Sequence, residues 1–132
     1  MPIRRERPIH GDVDVEGVRR WAREAAASAG LPPVAAAEVD LVASELANNL
    51  LRHASGGVVS VEAASDDGRP CVRIEASDEG PGIDDIELAL TPGFSTAGGL
   101  GEGLPMAKRL SDRFAIHSCP EGTRIVSVRW ST

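Results

Sequence analysis

The sequence predicts an α+β two-layer sandwich, with helices covering one face of a mostly antiparallel sheet. Three observations lead there. Apolar residues recur at helical spacing in one stretch that ends at Gly30 and in another over 34–54; they alternate at strand spacing in 58–64 and 71–77. The element order is strand, two helices, two strands, a long loop, a helix and two strands. With 132 residues, 42% of them hydrophobic and 26% charged, the chain is expected to form one domain over 1–132. A chain of that size buries roughly two thirds of the surface its unfolded form exposes.

The net charge is −6, and no Lys/Arg stripe is present to meet a phosphate backbone, which argues against a nucleic-acid partner. Arg4, Arg5 and Arg7 are followed by polar residues where a signal peptide needs an apolar stretch, and nowhere is there a run of about 18 apolar residues. A cytoplasmic protein without a membrane partner is expected. Cys71 and Cys119 fit neither a C-x-x-C motif nor a disulfide framework. Aromatics are only 3% of the chain, so Val, Leu, Ile and Ala must build the core, with Trp21, Phe94, Phe114 and Trp130 as its few large pieces.

Each element follows from local residues. A short strand is expected over 4–9. Asp12 or Asp14 then caps a helix with Val18, Trp21, Ala22, Ala25 and Ala26 on its apolar side, and Gly30 stops it. Pro32 and Pro33 suit the first turn of a second helix that meets no breaker before Ser55-Gly56-Gly57. The alternating stretches at 58–64 and 71–77 flank Ser65-Asp66-Asp67-Gly68 and read as a hairpin, with Val72, Ile74 and Ala76 on one face. From 78 to 103 the composition turns to Gly, Pro, Ser and Thr, with one possible helical turn around 86–90; a loop that long in a compact domain is usually functional or disordered. A third helix starts near Leu104-Pro105, and strands over 114–118 and 123–130 close the chain.

Three constellations carry chemistry. On the second helix, at about 100° per residue, Val39, Ala43, Leu46 and Leu50 share one side while Glu45 and Asn49 lie one turn apart at its edge. His53 extends that ladder. By spacing alone the same pattern also fits a helix with a solvated polar flank. The hairpin then runs into Asp78-Glu79-Gly80-Pro81-Gly82-Ile83, where Asp78 continues the Val72, Ile74, Ala76 face and needs a donor such as a ligand amino group. An ordinary strand-ending turn has similar residues. The third constellation is Gly98-Gly99-Leu100-Gly101-Glu102-Gly103-Leu104-Pro105, ahead of Lys108 and Arg109; glycine N–H groups and a helix start make an anion site. It has neither the GxxxxGK[ST] of a P-loop nor GxGxxG, because Leu104 stands where the last glycine would be needed.

Taken in order, Glu45 and Asn49, then Asp78-x-Gly80-x-Gly82, then Phe94-Ser95-Thr96 before Gly99-x-Gly101-x-Gly103 resemble the nucleotide-binding boxes of the histidine-kinase-like (GHKL, Bergerat) ATPases. The run from Gly93 to Gly101, with Gly103-Leu104-Pro105 and Lys108-Arg109-Leu110, is similar to the anti-sigma regulatory factor and serine/threonine kinase family, and within it to the stressosome switch kinases. The likeness spans 44–130.

The resemblance implies an ATP-dependent serine/threonine protein kinase. In it Glu45 is the general base and Asn49 the protein's ligand to Mg2+, whose other ligands are phosphate oxygens and waters. Asp78 binds the adenine amino group, Gly80, Gly82 and Ile83 shape the adenine pocket, and Gly99, Leu100, Gly101, Gly103 and Leu104 surround the phosphates. Thr123 adds a hydroxyl near the base, and Lys108 is a further phosphate contact. The family also implies a STAS-domain antagonist or scaffold as the phosphorylated partner and a PP2C-type phosphatase as the protein activated on release. Two alternatives share the boxes: an anti-sigma factor that sequesters a sigma subunit, and a non-catalytic nucleotide-regulated binding module. Glu102 departs from the pattern, since a carboxylate beside a triphosphate is repelled unless it is solvated or paired with Lys108 or Arg109.

Overall fold

The computed structural model describes residues 3–53, 57–80 and 103–131. In chain order they form β1 (Ile3–Pro8), α1 (Asp12–Ala29), α2 (Pro33–His53), β2 (Val58–Asp66), β3 (Arg69–Asp78), α3 (Gly103–Arg109), β4 (Arg113–Cys119) and β5 (Gly122–Trp130). The strands make one sheet in the order β1-β2-β3-β5-β4, and every pairing is antiparallel. Element order and architecture are those expected from the sequence. The possible turn at 86–90 lies outside the described residues.

Helix ends show how local chemistry sets the frame. Neither Asp12 nor Asp14 caps α1 as expected; Gly11 is the capping residue, with no side-chain hydrogen bond. Asp14 instead reaches back to accept the His10 backbone N–H at 2.9 Å, so its carboxylate still serves the helix entrance. At the other end Gly30 takes φ 79°, and Leu31 N–H bonds the Ala26 carbonyl at 2.9 Å, a left-handed cap that glycine adopts without strain. Pro33 then opens α2, where its missing N–H costs nothing.

The hairpin ladder is longer than the alternation suggested, with β2 and β3 paired out to Asp66 and Arg69. The reason is the turn. Asp67 and Gly68 both have positive φ, 52° and 78°, so two residues suffice to reverse the chain, and Ser65 and Asp66 stay in the sheet. At the sheet edge β1 ends one residue early, yet Ile9 remains only 1% exposed and its N–H bonds the Gly57 carbonyl at 2.9 Å.

The helices lie on one side of the sheet, and the interface is built from small aliphatic side chains. Val39, Val42, Ala43, Leu46 and Leu50 of α2 meet Val18, Ala22 and Ala26 of α1 and Val59, Val61, Val72, Ile74, Ala76 and Ile125 of the strands in one core. The aromatic expectation needs correction. Trp21 and Phe114 are only partly buried against that core, and Trp130 is outside it. The Trp130 indole N–H donates to Asp66 at 2.6 Å while its ring lies under the guanidinium carbons of Arg69 at 4.3 Å and Arg113 at 5.6 Å. An indole needs a partner for its N–H, and the rim supplies one where the aliphatic interior has none. Phe94 lies outside the described residues.

Two ionic links fix the layers. Arg19 of α1 donates to Asp40 of α2 at 2.7 Å, and Arg23 adds a contact at 3.1 Å. Arg129 of β5 bonds Glu38 of α2 at 2.9 Å and the Leu110 carbonyl, just past α3, at 2.7 Å. These links tie the first half of α2 to α1 and β5, while Leu46 and Leu50 hold its second half in the core. Cys71 is buried and Cys119 exposed; both are free.

Candidate functional site

Burial of one face of α2 decides where its polar residues point. With Leu46 and Leu50 sealed in the core, Glu45 and Asn49 fall on the flank of the helix, and both are half-buried. Arg52 donates to Glu45 Oε1 at 2.7 Å. Asn48 is tied to the Ser44 hydroxyl at 3.3 Å, whereas the Asn49 amide has no hydrogen-bond partner among the described residues. His53 is the last residue of α2, and its side chain lies outside what is described.

α3 meets this flank at its first residue. A Cβ placed on Gly103 would overlap the Glu45 carboxylate, so the chain approaches Glu45 closely there only because position 103 has no side chain. Leu104 packs against the core and Pro105 and Ala107 are buried, which anchors α3 on α2. Lys108 is exposed in the last turn of α3, at the end away from Glu45, with no ion pair among the described residues.

Asp78 ends β3 opposite Thr123 of β5. It continues the face of Val72, Ile74 and Ala76, which are at most 2% exposed, and is itself half-buried. Its Oδ1 accepts the Gly80 N–H at 2.9 Å in a local turn, and its other oxygen accepts no hydrogen bond among the described residues. Thr123 is buried and shares a hydrogen bond with Ser118 at 2.9 Å. A Cβ on Gly122 would collide with the Asp78 carbonyl, and one on Gly57 would sit 2.5 Å from the Ser77 carbonyl and 2.9 Å from Leu50. Asp78, Glu79 and Gly80, with Pro8, His10 and Gly57, line a hollow of about 760 Å³, within the size range of small-molecule sites.

The structure therefore brings Gly103 to Glu45, and Gly80 and Thr123 to Asp78. Gly57 bridges from Leu50 on α2 to Ser77 beside Asp78. The hollow beside Asp78 does not include Glu45 or Asn49 among its described lining. Gly82, Ile83, Gly99, Leu100 and Gly101 lie outside the described residues, as does Glu102. Sequence reading missed Arg52, although its spacing of seven from Glu45 is two helical turns, and it missed the close-approach glycines Gly57 and Gly122, which look like ordinary turn residues until their neighbours are known.

These residues fit a phosphate-bearing ligand with a bound cation. An Asn49 amide with no partner among the described residues stands one turn from the Glu45 carboxylate, and the missing side chain of Gly103 is what gives that carboxylate room. Among the described residues no group of three or more His, Cys, Asp or Glu side chains converges on a metal position. A magnesium ion here must then take most of its oxygens from phosphate and water.

Residues 12–130 match the histidine kinase-like ATPase domain family, and the chain belongs to that family. The family expected from the Glu45, Asp78 and glycine boxes is the family found. Among known proteins, the chain is 41% identical over 118 residues to the serine/threonine-protein kinase RsbT of Bacillus subtilis, covering 89% of each. All of the chain also superposes, with TM-score 0.68 and 21% identity, on a crystal structure of the RsbU and RsbW domains of a Mycobacterium tuberculosis protein. It spans 33% of that longer chain, and the likeness shows the fold. Among the described residues no helix is long and apolar enough to cross a membrane.

Proposed function

We propose that residues 1–132 form one cytoplasmic ATP-dependent, Mg2+-requiring serine/threonine protein kinase domain that acts by partner switching. The observation that supports it most is the grouping on α2: the Glu45 carboxylate, the Asn49 amide one turn on, which has no partner among the described residues, and the first residue of α3 against Glu45. Kinship with RsbT supports the same reading.

Bound Mg-ATP supplies the phosphoryl group. Glu45 accepts the proton of the partner's Ser or Thr hydroxyl as that oxygen turns nucleophilic. Asn49 would hold the cation through its amide oxygen, and the backbone around Gly103, with Gly99 to Gly101, would surround the phosphates. The free oxygen of Asp78 accepts from the adenine amino group, Gly80, Gly82 and Ile83 border the base, and Thr123 lends a hydroxyl nearby. Lys108, in the last turn of α3, is a further phosphate contact. Thus Asp78 selects the base and Glu45 the chemistry.

The partner we infer is a STAS-domain antagonist or scaffold protein, with a PP2C-type phosphatase as the protein activated after release. Incubating the chain with ATP, Mg2+ and its cognate STAS protein tests this; absence of phosphoprotein under conditions where ATP binds counts against kinase activity. An anti-sigma factor that sequesters a sigma subunit remains the alternative, since it shares the same nucleotide boxes. A pull-down in which a sigma subunit is the main partner would reverse the order. Binding without phosphoryl transfer to any partner would leave the nucleotide-regulated module.

A further inference from the structure

α2 brings to Glu45 a second charge that none of the nucleotide boxes contains. Arg52 lies seven residues on, so at about 100° per residue its side chain leaves the helix along nearly the same line. Its Nη2 donates to Glu45 Oε1 at 2.7 Å, with the arginine side chain 38% exposed and the glutamate 16%. The other oxygen, Oε2, accepts no hydrogen bond among the described residues. Gly103 presses on the same carboxylate, nearest to Oε1, so any side chain there would push the carboxylate away. Among the described residues Glu45 is thus held by one oxygen and open at the other, which is the arrangement a base needs if it is to receive a proton at a fixed place.

If ATP occupies this site, two negative groups come together: the carboxylate and the terminal phosphate. Such an approach is unfavourable in a partly water-excluded site unless a cation lies beside it. A diphosphate presents no terminal phosphate there. Arg52 is the one cation that the structure places on Glu45 among the described residues.

We propose that Arg52 is a positioning residue: it fixes Glu45 through Oε1 and neutralises it, so that the site accepts a nucleoside triphosphate as readily as a diphosphate. The proposal rests on the nucleotide-binding part of the kinase reading and names a residue that reading does not use.

Calorimetric titration with Mg-ATP and Mg-ADP tests it in the full chain, comparing wild type, Arg52→Gln, Arg52→Lys, Glu45→Gln and the Arg52→Gln/Glu45→Gln double variant. Arg52→Gln is expected to lose about tenfold in ATP affinity while ADP affinity stays within about twofold. Arg52→Lys regains most of the loss. In the Glu45→Gln background the charge to be neutralised is gone, so Arg52→Gln then changes ATP affinity by less than about twofold. Its melting temperature stays within about 3 °C of wild type, because a partly exposed pair adds little to stability. In phosphoryl transfer Arg52→Gln lowers kcat with KM for the protein substrate unchanged.

Equal losses for ATP and ADP, or an undiminished loss in the Glu45→Gln background, overturn the role of Arg52 and leave the kinase reading standing. Wild type that binds ATP but phosphorylates no partner defeats the kinase reading, while the affinity comparison still decides Arg52. Wild type that binds neither nucleotide overturns both.

Discussion

Asp40 on α2 receives Arg19 from α1 at 2.7 Å, and Arg23 shares the same carboxylate at 3.1 Å. Burial alone would raise the Asp40 pKa, but the hydrogen bonds from Arg19 and then Arg23 outweigh it and hold the carboxyl below its ordinary value of 3.8. A carboxyl whose pKa is lowered by folding stabilises the fold above its unfolded pKa, and that stability is lost as pH falls through the folded value. Asp40→Asn should therefore cost about 1 kcal/mol near neutrality, the pair being partly solvent-screened. The gap between wild type and variant should close below about pH 4, as urea melts at several pH values would show.

Two glycines at the site should respond differently to alanine. At Gly122 the new methyl would meet the backbone of Asp78 and Glu79, which cannot move without opening the β3 and β5 ladder. Gly122→Ala should cost about 2 kcal/mol and lower the melting temperature. At Gly103 the obstacle is the tip of a flexible glutamate side chain. Gly103→Ala should leave stability within about 0.5 kcal/mol but reduce phosphoryl transfer about tenfold, because the carboxylate is displaced.

Asp78→Asn separates the structural from the recognition role of that residue. The amide oxygen can still accept the Gly80 N–H, so the turn and the fold should survive. The second position becomes an NH2 donor where the proposed function places the adenine amino group, and on that proposal ATP affinity should fall by about one to two orders of magnitude. Calorimetry beside a thermal melt checks both halves.

Trp130→Phe keeps a ring between Arg69 and Arg113 but removes the donor to Asp66. Asp66 retains Arg113 at 3.1 Å, so the cost should be only about 1 kcal/mol. Trp130→Ala, which also removes the ring, should cost clearly more in the same chemical-denaturation measurement.

Most of the architecture was legible because its determinants are local. Gly30, Pro33 and the Asp67-Gly68 pair punctuate the chain at the points where backbone φ is constrained, and the apolar spacing of Val39, Ala43, Leu46 and Leu50 states which face of α2 is buried. Position along the chain also separated Glu45 and Asn49 from that face. What stayed hidden depends on neighbours distant in sequence. Nothing near Trp130 announces a partner at Asp66, 64 residues away. Arg52 looks like one more solvated cation until the helix carries it over Glu45, and Gly57 gains its meaning only from Ser77 and Leu50.

The placement of the two indoles also fixes what light can report. The chain has two Trp and no Tyr, and each indole faces a guanidinium, Trp21 with Arg7 at 4.9 Å and Trp130 with Arg69. Ultraviolet-excited emission therefore originates from two marginal positions, one on α1 beside β1 and one at the hairpin end of β5. Replacing either indole would give a chain whose emission follows a single margin, so fraying at β1 and at the hairpin could be timed independently.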